Sequence, residues 1–285
     1  DLESEKITAP RYSYWQSVFR VFFKKKINII MLALLGVIVL MAYLYPQFVE
    51  YDKFANLMDS ASKHLSPAKA IKQLGFNIHW ILGTGASGQS TFDAVWYGSR
   101  ISISLAFICA AINMTIGVIV GAIWGFSKKF DMFMIQVYNI IANVPYLLVI
   151  SVMVILFTPS FWVMVLAFTI TGWIAIAYFI RTQVIIIRDR EYNLASKCLG
   201  TSTVKIAMKN ILPFMTSVIV TQLATEIPSY IGMEVFLSYI GLGLSDRSLG
   251  RLIYDAENAM VTPGWQFEFW SPVVVSAIIS IVLYV

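Results

Sequence analysis

Residues able to do chemistry are few and scattered in this sequence. The tightest grouping is the run ILGTGASGQS, Ile81 to Ser90, where closely spaced glycines alternate with hydroxyl side chains. Such a run can cradle phosphate, but the lysine of the GxxxxGK[ST] pattern is missing, so nucleotide binding by that device is excluded. His64 and His79 are far apart with too few other ligand types nearby for a metal site, and read as solvated surface residues. Cys109 lies in an apolar run and Cys198 in a polar one, so no paired framework is implied. Cys109 reads as a small packing residue, since a thiol in apolar surroundings is inert. What remains is charge set among apolar residues: Glu226 just before Pro228, Glu234 in the apolar run that follows, and the cluster Arg188, Asp189, Arg190 and Glu191. Ionisable groups at membrane depth point to function by default.

The elements that carry these residues are membrane spans. The chain has 285 residues, 58% hydrophobic and 13% charged, with a mean hydropathy of +0.73, which excludes an ordinary soluble domain of this size. A net charge of +5 accompanies this composition, but the basic residues flank apolar runs, as orientation signals do, so no nucleic-acid partner is implied. Residues 12–26 place Tyr12, Trp15, Phe19, Phe22 and Phe23 at helical spacing and predict a helix in the membrane interface. Six predominantly apolar stretches follow, each approaching the roughly 20 residues a bilayer requires. They are Ile27–Tyr45, Ile101–Phe126, Met132–Phe157, Phe161–Ile180, Ile211–Tyr230 and one beginning at Glu268. No cleavage site follows Tyr45, so the first stretch reads as an anchor rather than a signal peptide. Small residues in the second span, among them Gly117 and Gly121, suit close helix packing. Pro145 in the third places that helix against protein rather than lipid.

Lys24, Lys25, Lys26, Lys128, Lys129, Arg181, Arg188, Arg190, Lys197, Lys205 and Lys209 fall on one side if the N-terminus is cytoplasmic. The cluster at Arg188 cannot sit in hydrocarbon, so the segment 181–213 lies outside the bilayer. Within it, Tyr192 to Leu199 predicts a short helix, Gly200 a left-handed stop, and Val204 to Leu212 a second helix ending at Pro213. At about 1.5 Å per residue, Glu226 falls roughly 22 Å from Ile211, near the outer surface, which favours a solvated or hydrogen-bonded role over one in a pathway. Asp255, Glu257 and Trp265 read as an external loop.

Three motifs resemble those of oligopeptide-type ABC-importer permeases. In REYNLASKCLG followed by TSTVKIAMKNILP, Ala195, Gly200, Leu212 and Pro213 match the cytoplasmic signature of such permeases, while Leu194 stands for its glutamate, Ser196 for an alanine and Asn210 for an isoleucine. Leu82, Gly83, Thr84, Gly88, Gly98, Arg100 and Ser102 match a pattern L-G-T-D-x-x-G-R-D followed by G-A-R-x-S-L, with Gly85 and Ser90 replacing its aspartates. Glu234, Leu237, Ser238, Gly241, Leu242, Gly243 and Gly250 match E-x-x-L-S-F-L-G-L-G and a later W-G, with Tyr239, Ile240 and Leu249 departing from it.

The resemblance implies an all-α polytopic protein with six transmembrane helices and the type I ABC importer permease fold. Its parts would be a cytoplasmic N-terminus and interfacial helix over 1–26, a first span over 27–45, an extracytoplasmic region over 46–100, and a five-helix core over 101–285. The implied function is one half of an ATP-driven oligopeptide path in the cell membrane, multi-pass, with no catalysis by this chain. Glu191, Tyr192, Leu194, Ala195, Ser196, Gly200, Leu212 and Pro213 would form the coupling segment, and Glu226, Glu234, Gly241 and Gly243 are candidate pathway or gate residues. Implied partners are a second homologous permease, two ATPase subunits that hold ATP and magnesium, an extracellular peptide-binding protein and the peptide itself. No cofactor is implied in this chain. The same motifs fit a nickel or other small-solute importer. A gated channel or a membrane enzyme would need a charged pore pattern or clustered catalytic residues.

Overall fold

The computed structural model describes residues 14–51, 60–260 and 265–284. Among them the chain is helical, with one isolated antiparallel bridge between Thr84 and Ser90. Helix α1 (Tyr14–Lys24) stacks Phe19 against Phe23 on one face and turns into α2 (Lys26–Phe48). Tyr12 of the expected interfacial helix, and Asp52, Lys53 and Asp59 of the expected external region, lie outside the described residues. The helix α3 (Pro67–Leu74) follows, and then α4 (Thr91–Phe126).

Ser90 starts α4 by accepting from the Asp93 amide while its own hydroxyl donates to the His79 carbonyl. This is the ordinary capping role of serine at a helix start, and it sets the helix in motion ten residues before the apolar run at Ile101. The expected third span is instead a bent pair. Helix α5 (Lys128–Ala142) and α6 (Tyr146–Leu156) meet at 70°. Proline lacks an amide hydrogen and disfavours helical geometry in the residue before it, so Asn143, Val144 and Pro145 form the corner.

Helix α7 (Phe161–Arg188) packs along α4 more extensively than any other pair. Gly117, Gly121 and Gly125 make this possible: a Cβ at each would come within 2.6 Å of Ile176 Cγ2, 2.4 Å of the Ala177 carbonyl and 2.6 Å of Val184 Cγ1, respectively. Close approach of small residues is the usual means of helix association in lipid, where burial of apolar surface supplies no driving force. At about 1.5 Å per residue α7 is longer than the roughly 30 Å hydrocarbon layer, so its last turns continue into the polar segment without a break at Arg181.

Helices α8 (Glu191–Cys198) and α9 (Thr203–Ile206) lead through a π turn, Ala207–Ile211, into α10 (Leu212–Tyr239). Helix α10 runs through Pro228 rather than stopping at Tyr230 as expected. The expected external loop is instead α11 (Leu249–Asn258), which buries Leu249, Gly250, Ile253 and Ala256, and α12 (Trp265–Tyr284) completes the fold. Five of these helices are long and apolar enough to cross a membrane, and the bent pair makes a sixth.

One polar knot joins three of the elements. Glu234 on α10 has no solvent exposure. It accepts from the hydroxyls of Ser102 on α4 at 2.9 Å, Ser238 one turn further on α10 at 2.9 Å, and Ser248 at the start of α11. Ser102 in turn accepts from the Leu249 amide at 3.1 Å, and Ser248 caps α11 by accepting from the Arg251 amide. A buried acceptor with this many donors orders every group that touches it, and removing it orphans all of them. Replacing Glu234 with alanine is therefore expected to destabilise the chain by roughly 3 kcal/mol, while Glu234→Gln, which keeps an acceptor oxygen, loses less. Thermal unfolding of the purified variants in detergent checks this, and an alanine variant as stable as the parent would contradict it.

Candidate functional site

The polar segment after α7 folds into a helix, a sharp reversal and a second helix, as its sequence predicts, but the second helix does not end at Pro213: it passes through the π turn into α10, whose first turn holds that proline. Arg188 pairs with Asp189 at 2.8 Å and donates from Nη1 to the Gly125 carbonyl at 2.7 Å, fixing the end of α7 to the end of α4. That hydrogen bond to Arg188, reinforced by the positive field of Arg188, Lys128 and Lys197, holds the Asp189 carboxyl below the usual range. At the far end of α8, the Thr201 amide donates to the Ser196 carbonyl and the Gly200 amide to the Lys197 carbonyl. Together with φ of +83° at Gly200, this is the paired helix-ending motif that glycine favours. A side chain at Gly200 would meet no neighbouring atom within 4 Å, so the demand for glycine comes from the backbone alone.

Of the sequence-derived coupling residues, Glu191, Tyr192, Leu194 and Ala195 are exposed, and Ser196 is half-buried with its hydroxyl bonded to the Tyr192 carbonyl. Leu199 is 87% exposed. Leu212 is half-buried and Pro213 exposed in the first turn of α10, where a missing amide hydrogen costs little. The residue that anchors α8 was not among those expected. Asn193 is 2% exposed; its amide donates to the Ile187 carbonyl at 2.8 Å, and its oxygen accepts from Asn210 at 3.0 Å. A hint of it stood in the sequence, where Asn210 replaces the isoleucine of the resembling signature, but its partner is supplied by the fold.

A second fixture lies on the neighbouring helices. Arg181 on α7 grips Asp131 on α5 through Nε at 2.5 Å and Nη2 at 2.9 Å, while Trp124 on α4 donates to the same carboxylate at 2.7 Å. The guanidinium also lies 5.5 Å from the centre of the Trp124 ring and 5.6 Å from that of Tyr178. Bidentate pairing and ring stacking are the combination for which arginine, and not lysine, is suited.

Between α5, α6, α7 and α10 lies a cavity of about 610 Å³. Its wall is largely apolar, with Gln222, Glu226, Ser229 and Tyr230 contributed by α10 and Tyr138 and Tyr146 by the bent pair. Here the reading of Glu226 as an outer-surface residue is corrected. Because α10 extends to Tyr239, Glu226 sits near its middle, in the cavity wall, with Oε1 accepting from Gln222 at 2.8 Å. Glu234, Gly241 and Gly243 are not brought to this wall: Glu234 is held in the serine knot, Gly241 adopts φ of +81° after α10, and Gly243 packs on Ser238. The solvated reading of the histidines is also corrected. His64 Nδ1 lies 2.7 Å from Glu268 and His79 Nδ1 lies 2.8 Å from Asp93, so each links the segment between α2 and α4 to a helix through a carboxylate. Among the described residues no group of three or more His, Cys, Asp or Glu side chains could hold a metal ion.

A family model described as binding-protein-dependent transport system inner membrane component matches residues 113–285. The chain belongs to that family of transport permeases. A second model, the N-terminal TM domain of oligopeptide transport permease C, matches residues 13–67. Along its whole length the permease is 43% identical to the oligopeptide transport system permease protein AmiD of Streptococcus pneumoniae, covering 90% of that protein. It is 34% identical to the oligopeptide transport system permease protein OppC of Bacillus subtilis, over 94% of this chain and 85% of that one. It is also 30% identical to the dipeptide transport system permease protein DppC of the same organism, over 92% and 80%.

In this permease Gly200 is the most exacting position of the polar segment. A branched side chain in the left-handed region costs about 1–2 kcal/mol, whereas asparagine visits it readily. Hydrogen exchange across 191–198 is expected to speed up roughly tenfold in Gly200→Val and to stay near the parent rate in Gly200→Asn. Equal protection in both variants would contradict the helix-ending motif.

Proposed function

We infer that this chain is the permease subunit of an ATP-driven oligopeptide importer, supplying half of a translocation path. The observation that carries the reading is similarity over the full chain to permeases whose names specify oligopeptides, including the region matched by the permease C model. Those names, together with the dipeptide permease, favour peptide over nickel as cargo. ATP and magnesium belong to two partner ATPase subunits. An extracellular peptide-binding protein delivers the cargo, and a second homologous permease completes the path. The N-terminus is cytoplasmic, which puts α8 and the basic residues around it on the side where ATP is available.

The geometry supports a mechanical role for α8. Tyr192 and Leu194 on α8, and Leu199 just past its end, are exposed apolar side chains that an ATPase subunit can cover. The buried Asn193 of α8 is tied to the last turn of α7 and, through Asn210, to the turn that begins α10. Those two helices supply Gly172, Phe179, Gln222 and Glu226 to the cavity wall. Movement of the ATPase pair would therefore be passed to both sides of the cavity through hydrogen bonds rather than through a flexible loop. The partly exposed Arg181–Asp131 pair joins α7 to the bent helices and is the contact at which those helices would shift relative to α7 and α10. The transported molecule undergoes no covalent change.

Reconstitution tests the reading. The isolated subunit in liposomes is expected neither to hydrolyse ATP nor to accumulate peptide, and addition of the other subunits and the loaded binding protein is expected to restore both. Peptide uptake by the lone subunit would contradict it. Orientation is tested separately in a background carrying Cys109→Ala and Cys198→Ser. In intact cells an impermeant thiol reagent is expected to label Lys69→Cys and spare Leu199→Cys; the reverse pattern would invert the topology.

A further inference from the structure

Among the described residues Glu226 is the only carboxylate in the cavity wall, and no lysine, arginine or histidine lines that wall with it. One oxygen accepts from Gln222, and Glu226 is in none of the ion pairs found among the described residues. Of the neighbouring hydroxyls, Tyr146 donates to the Phe168 carbonyl at 2.9 Å, Tyr230 accepts from Asn113 at 2.5 Å, and the buried Thr171 hydroxyl in the same wall has no partner among the described residues; each is neutral and none supplies a positive charge. A carboxylate held midway along a membrane helix without a cation is costly to the protein. Its counterpart is therefore to be sought in what enters the cavity.

Building on the importer reading, we propose that Glu226 receives the N-terminal ammonium group of the peptide during transit. Peptides of unrelated sequence share their backbone and their two charged termini. An ammonium ion moving along this largely apolar, half-open cavity loses part of its hydration, which a paired charge or hydrogen bonds can replace. Glu226 offers both, and the aromatic rings of Tyr138, Tyr146 and Tyr230 in the same wall can face a cation favourably. The contact makes no demand on side-chain identity, which suits a path for many sequences. It acts on the moving peptide and is separate from the fixtures that transmit motion from α8.

The test uses the complete complex in proteoliposomes, with the binding protein saturated by one of three peptides: an alanine peptide with a free N-terminus, its N-acetyl form, and an N-acetyl form carrying one lysine. Saturation is verified by stimulation of ATP hydrolysis. In Glu226→Gln, uptake of the free-amine peptide is expected to fall roughly tenfold, the value of one hydrogen bond to a charged group, while the N-acetyl alanine peptide is unaffected. Glu226→Asp is expected to recover most of the loss. An equal fall for the free and acetylated alanine peptides, or no fall for either, would overturn the inference. A loss confined to the lysine-bearing peptide would also overturn it, because the source of the cation would then be a side chain. Failure of the parent complex to move any of the three would overturn the importer reading instead.

Discussion

A buried carboxyl group needs donors, and in this permease the need is met by drawing three helices to one point. Glu234 lies in α10, its donors Ser102 and Ser248 lie in α4 and at the start of α11, and the backbone amides of Leu249 and Arg251 are satisfied by those same hydroxyls. The arrangement is directional, unlike apolar contact, so it sets register as well as proximity. Packing that depends on register follows from it: α11 can lie over Gly98 of α4, where a Cβ would come within 3.1 Å of the Ser248 backbone and crowd it. With α4 and α10 fixed at this end, and α4 and α7 joined by their glycine stripe, the cavity between α7 and α10 has two firmly held walls.

The third wall is held differently. Helices α5 and α6 meet at a corner that proline imposes, and α5 is tied to α7 by the Arg181–Asp131 pair under Trp124. The rigid side of the cavity thus rests on tightly packed backbone and a fully buried polar knot, and the bent side on a partly exposed ion pair. A displacement arriving through Asn193 and Asn210 meets less resistance at the ion pair than at the knot, since a close-packed core yields only in discrete rearrangements. This division gives an account of how the short helix α8 can alter a cavity without unfolding its walls.

Much of this was legible in the sequence, for identifiable reasons. Apolar length gave the spans, and the order of short helix, glycine and second helix was readable because Gly200 has one conformational job. Glu226 was misplaced because its span was taken to run from Ile211 to Tyr230, whereas α10 accommodates Pro228 in its interior and continues to Tyr239. The residues 249–258 read as a loop because their charges, Arg251, Asp255 and Glu257, are prominent, yet Leu249, Ile253 and Ala256 recur at helical spacing and are buried. His64 and His79 were misread because their partners, Glu268 and Asp93, are supplied by tertiary structure. The Asn193 clamp was missed for the same reason: its partners are a carbonyl at the end of one helix and an asparagine 17 residues away.

The central claim is that α8 moves as one body with α7 and α10. Its most direct test is the distance between spin labels on Leu194→Cys of α8 and Ser229→Cys of α10, in the assembled complex lacking the native cysteines, before and after trapping with ATP. The account predicts that this distance stays within the spread of the labels themselves while the distance from Ser229→Cys to a label on Ile140→Cys of α5 changes. A shift of α8 relative to α10, with the α5 distance unchanged, would contradict it.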